Sequence, residues 1–94
     1  MTIKSFSDLW NDSEKLLQLD IVDTDSTILV KELIAKINIY DQLSTQKNIP
    51  PQELNKLKTV CFGEVILCLT KLSSKDNINA YEALGNCLNI RAHR

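Results

Sequence analysis

The feature that most constrains this chain is a stripe of apolar residues between positions 54 and 72. Leu54, Leu57, Cys61, Val65, Cys68 and Leu72 follow one another at steps of 3, 4, 4, 3 and 4 residues. That period keeps all six on one side of an α-helix, which is the pattern of a helix-bundle seam. Phe62, Ile66 and Leu69 add a second apolar face, so the helix is expected to lie centrally and to touch neighbours on two sides. Asn48-Ile49-Pro50-Pro51 opens it, because proline holds φ near the helical value and lacks an N–H that the first turn would leave unpaired.

The rest of the chain repeats this theme. Phe6, Leu9, Trp10, Leu16 and Leu17 recur at helical steps and predict a helix over about 6–18, with Ser5 and Asp8 resembling a capping box. The segment Asp20 to Ser26 reads as a loop, and Asp25 or Ser26 can cap the next helix. It lacks the central glycine and closing glutamate of a calcium loop. Ile28, Leu29, Leu33, Ile34, Ile37, Tyr40 and Leu43 predict a second helix over about 26–44, with Glu32 and Lys36 as an i,i+4 pair. A fourth helix is predicted from Asn79 as its cap to about Arg91, with Ala83, Leu84 and Leu88 inward and Arg91, His93 and Arg94 suiting its negative end. The single histidine, His93, is expected in solvent. Two glycines and two prolines are too few for the turns of a sandwich or barrel. The expectation is one all-α domain spanning residues 1–94, four-helix bundle-like.

Size and charge narrow the function. A 94-residue chain hides only roughly two thirds of the surface it exposes when unfolded. With two apolar faces on the third helix, a homodimer or larger oligomer is expected, with Phe62, Ile66 and Leu69 at or near the contact. The net charge is −1 and the only arginines are Arg91 and Arg94, so no basic stripe tracks duplex nucleic acid. Asp8, Asp12, Glu14, Asp20, Asp23 and Asp25 outnumber Lys4 and Lys15 in the first 25 residues and read as a solvated face. Met1 to Phe6 carries no apolar h-region, so no secretory signal is expected. Val60 to Leu69 is about half the length of a bilayer span, so membrane insertion is not expected either. Cys61, Cys68 and Cys87 fit neither disulfide nor zinc spacing, and Cys61 and Cys68 would stand about 10 Å apart along one helix. All three are expected as core thiols in a reducing, cytoplasmic setting.

Glu64 is the residue most out of place, an acid inside Val60-Cys61-Phe62-Gly63-Glu64-Val65-Ile66-Leu67-Cys68-Leu69. Buried there, a carboxylate would need a partner or a metal; on the exposed edge of the helix it would need neither. Gly63 beside it costs a helix interior up to about 1 kcal/mol relative to alanine, which leaves room for something to approach the backbone.

Residues 60 to 94, with Gly63-Glu64-Val65-Ile66, Leu69, Leu72, Asp76-Asn77-Ile78-Asn79 and Ala83-Leu84, resemble the second half of the MazG-like all-α nucleoside triphosphate pyrophosphohydrolases. In that family a helix bearing E-x-x-E faces a later helix bearing E-x-x-D. The resemblance implies that Glu64 stands for the aspartate and Glu32, in Leu29-Val30-Lys31-Glu32-Leu33, for the first glutamate of the earlier pair. It also implies magnesium as cofactor. Two acid pairs on facing helices would supply hard oxygen ligands, and the ion would polarise a phosphoryl group and orient water. This chain departs from the pattern at Ala35 and Cys61, which occupy the other two acid positions. The resemblance therefore implies an incomplete metal site of Glu32 and Glu64, and weak nucleotide binding or a regulatory role in place of full activity. Trp10 is the residue that could stack a nucleotide base. The rival expectation is a small helical protein-interaction or regulatory module with no catalytic site, whose second apolar face on the third helix docks a partner helix.

Overall fold

The computed structural model describes residues 4–21 and 24–93, and the side chains of 4–18 and 24–93. Four α-helices come in order: α1 (Phe6–Ile21), α2 (Ser26–Leu43), α3 (Pro51–Lys75) and α4 (Ala80–Ala92). No strand occurs among the described residues. Of the acidic N-terminal cluster, Asp23 and the Asp20 side chain lie outside what is described, as does Arg94 at the C-terminus.

Each helix starts where its sequence offers an acceptor or a proline. The amide of Asp8 donates to Ser5 Oγ at 3.2 Å, opening α1. Asp25 caps α2, its carboxylate accepting from the Thr27 amide at 3.4 Å. Pro50 precedes α3 and Pro51 is its first residue. The Asn79 side chain accepts from the Glu82 amide at 3.0 Å, opening α4.

Two bounds differ in an instructive way. α1 continues to Ile21, so Asp20 is helical and the connection to α2 is shorter than expected. Nothing in Leu19-Asp20-Ile21 breaks a helix, since aspartate in mid-helix costs no more than about 0.7 kcal/mol. α3 stops at Lys75 because Asn77 takes φ 57°, the left-handed conformation that asparagine tolerates better than most residues. The amide of Ile78 then donates to the Ser73 carbonyl at 2.8 Å and that of Asn77 to Ser74 at 3.3 Å, a Schellman closure.

α3 is the central element, with α2 along one side and α1 along another. α2 runs antiparallel to it: Glu32 meets Cys68 and Lys71, the Lys36 carbonyl meets Cys61, and Tyr40 meets Phe62 with ring centroids 6.0 Å apart. Ser26 Oγ donates to Asp76 Oδ1 at 2.5 Å and fastens the open end of this hairpin. Thr70 is fully buried, and its hydroxyl is satisfied inside its own helix by the Ile66 carbonyl at 2.9 Å. α4 touches α1 through its first turn, where Tyr81 donates to the Ser7 carbonyl at 3.1 Å and its ring lies 6.2 Å from that of Trp10.

The seam of α3 is buried at Cys61 and Cys68 and half-buried at Leu54, Val65 and Leu72, while Leu57 is exposed. The inward face expected for α4 is not found. Ala83 is exposed, Leu84 is 61% and Leu88 58% exposed, and α4 buries no residue. The turn at Asn77 aims the helix so that only its start reaches another element. Cys87, expected in a core, is exposed for the same reason.

The resulting shape is open. The radius of gyration is 15.7 Å, whereas a compact chain of this length has about 12 Å. The accessible surface is 7550 Å², against about 5,500 Å² for a folded monomer of this mass. No helix among the described residues is long and apolar enough to cross a membrane.

Candidate functional site

The α2–α3 hairpin has two edges, and one of them holds both Glu32 and Glu64 among exposed Ile28, Ile39 and Val60. There Glu32 projects from α2 and accepts from Lys71 Nζ at 3.1 Å, while the Cys68 thiol points at the same oxygen, Oε1, from 3.8 Å. The partner of Glu32 is therefore Lys71 on the facing helix and not Lys36, one turn along. Burial pushes the Cys68 thiol above its ordinary pKa, the adjacent Glu32 carboxylate adds to the rise, and Lys71 and Lys36 oppose it. This thiol is held protonated and is a poor nucleophile.

Glu64 lies one turn before Cys68 and two before Lys71, which places it on the same edge of α3, in solvent. Glu32 and Glu64 thus share an edge. Their companion positions part company: Cys61 is buried between the helices, its Sγ donating to the Lys36 carbonyl at 3.5 Å, while Ala35 is exposed. No group of three or more His, Cys, Asp or Glu that could hold a metal comes together among the described residues. Magnesium takes hard oxygen ligands in near-octahedral geometry. Here one acid is already neutralised by a lysine and the other faces water, so the residues present do not fit that ion.

Trp10 is nearly buried, at 9% exposure. Its indole N–H donates to Glu14 Oε1 at 2.6 Å, and Phe6 and Tyr81 pack at 6.1 and 6.2 Å from it, both tilted. It also borders a polar recess of about 290 Å³ reached by Glu14, Ser73, Asn77, Asn79 and Tyr81. The indole is thus engaged in joining α1 to α4, with one polar hollow beside it.

The other edge of the hairpin is apolar along its middle, with Lys58 over the Tyr40 ring at 5.6 Å at one end. Val30, Ile34 and Ile37 on α2 stand at i, i+4 and i+7, turned away from Glu32. Phe62, Ile66 and Leu69 on α3 have the same spacing, turned away from Lys71. The Tyr40–Phe62 contact joins the two rows. Ile34 is 51% and Phe62 55% exposed; Val30, Ile37 and Leu69 are exposed and Ile66 is half-buried. The α3 row continues as Asn55, Thr59 and Ser73, none of them ionisable. Sequence reasoning found the α3 half of this face but missed the α2 half, where Val30, Ile34 and Ile37 are legible as a row only once Leu29 is known to point at α3. Lys71 was missed as the partner of Glu32 for the same reason: pairing depends on the register between two helices. Comparison with protein-family models, with curated proteins and with solved structures finds no match to this chain.

Proposed function

We propose that this chain is a helical protein-interaction module whose working surface is the apolar edge of the α2–α3 hairpin. One observation carries the reading: two rows of large aliphatic and aromatic side chains, one from each helix, lie side by side and, apart from half-buried Ile66, in solvent. Contiguous apolar area of this kind marks docking surfaces far more than it marks catalytic clefts. On the other edge Glu32 is tied up by Lys71, and Glu64 faces water. A melting-temperature panel with magnesium or manganese and nucleoside triphosphates tests the reading. No shift is expected, because a ligand that does not bind the native state cannot stabilise it.

A second reading rests on a separate observation, the antiparallel pairing of α2 and α3 with Glu32 and Glu64 on one edge. This suits a MazG-like scaffold that has lost its metal site and keeps weak nucleotide binding, with the Trp10 hollow as a place for a base. A rise in melting temperature with nucleotide that Glu32→Gln abolishes would put this reading first.

A further inference from the structure

Resting on the interaction-module reading, we propose that the partner is a second copy of this chain, packed through the apolar edge of the hairpin about a two-fold axis that passes close to Phe62. Area is the first argument. The chain exposes 7550 Å², about 2,000 Å² more than a folded monomer of its mass should. If each copy hid only half of that excess, the contact would bury about 2,000 Å² in total, where permanent homodimers begin. Shape agrees, since the four helices have a radius of gyration of 15.7 Å, against about 12 Å for a compact chain of this length. The chain's own α4 does not cover the apolar edge: its Leu84 and Leu88 are in solvent.

Charge is the second argument. Along the α3 row Asn55, Thr59, Phe62, Ile66, Leu69 and Ser73 are uncharged, as are Val30, Ile34 and Ile37 on α2; Lys58, one turn before Phe62, borders the strip with its ammonium 5.6 Å from the centre of the Tyr40 ring. Homodimer interface centres are depleted of charge in this way. The uncharged length from Phe62 to Ser73 meets its own copy without repulsion, which a two-fold contact requires because the same patch serves both sides. α3 spans Pro51–Lys75, so Phe62 sits at its middle, where a strip packed on its own copy crosses the axis.

Light scattering on the purified chain is the first measurement, and the mass should be twice 10.7 kDa. Phe62→Asp and Phe62→Lys should each fall to the single-chain mass while keeping their helical circular dichroism. Mixed in equal amounts, the two should return to twice that mass, because opposite charges then meet across the axis. Val60→Lys, on the other edge of α3, serves as control and should leave the dimer intact. A wild-type chain that stays monomeric at every concentration overturns the proposal while leaving the nucleotide panel above to judge the module reading independently. So does a dimer that survives Phe62→Lys, or a control that dissociates like the variants. A mixture that stays monomeric takes the axis away from Phe62 and this packing with it.

Discussion

The α2–α3 hairpin and α4 are built from similar residues and end up in opposite conditions. In the hairpin Leu29, Cys61 and Cys68 are buried and side chains bond across the interface. In α4 nothing is buried, although Leu84, Leu88 and Ile90 are as apolar as their counterparts. A helix of 13 residues is marginal when alone in water. What holds α4 in shape is local: the asparagine cap at its start and the few contacts of Tyr81. Helix formation and burial are separate achievements, and this chain shows the first without the second.

The largest expected effect would sharpen that contrast. Leu29→Ala should lower unfolding free energy by about 2–5 kcal/mol, as emptied core sites do. Leu88→Ala, measured by the same urea titration at a concentration where the chain is monomeric, should stay within about 0.5 kcal/mol. Equal losses would mean that α4 is packed after all, and the comparison would collapse.

Next in size is the cap. Asn79→Ala removes the acceptor of the Glu82 amide and should cost about 1 kcal/mol. Amide exchange should show the loss confined to α4, with Cys61 and Cys68 in the hairpin as protected as before. A loss spread evenly over both regions would show that α4 and the hairpin unfold as one unit.

The hairpin's polar edge is worth less. Lys71→Met breaks the pair with Glu32, but the lysine side chain is 19% and the glutamate 37% exposed. Chemical denaturation should register under about 1 kcal/mol. A several-fold larger loss would mean that Glu32 depends on the lysine as a buried charge does.

The smallest effect is a matter of pH. The folded pKa of Cys68 lies above the ordinary 9.0, so the folded state keeps a proton that the unfolded chain releases. Its contribution is complete below about pH 9 and fades as pH rises through the folded value. The fall in melting temperature on the alkaline side should be shallower in Cys68→Ala. Thiol-reagent kinetics complete the contrast: exposed Cys87 on α4 should react first, and buried Cys61 and Cys68 only as the hairpin opens.

Much of this architecture was legible in the sequence because its signals are local. Ser5, Asp25, Pro51 and Asn79 open helices through groups within three residues of themselves, and the α3 seam states its own period. The central place of α3, touched on two sides, was legible too; what failed was the heading of α4 and the register between helices. Ala83, Leu84 and Leu88 mark a helix with an apolar side, but the spacing does not say that anything covers it. Glu32 gained Lys71 as partner, 39 positions away, through a register that neither helix encodes alone. Glu64 looked anomalous among apolar neighbours, yet a helix in contact on two sides still has an edge in water, and Glu64 stands there.

The backbone at Asn77 has a consequence for how α4 meets anything else. Its left-handed φ and the two amide bonds back to Ser73 and Ser74 fix the heading of α4 with bonds that span only a handful of positions. The helix is therefore presented at a set angle before any partner arrives, and little orientational entropy remains to be lost when one does. Preorganisation of this kind slows dissociation without adding a single intermolecular contact.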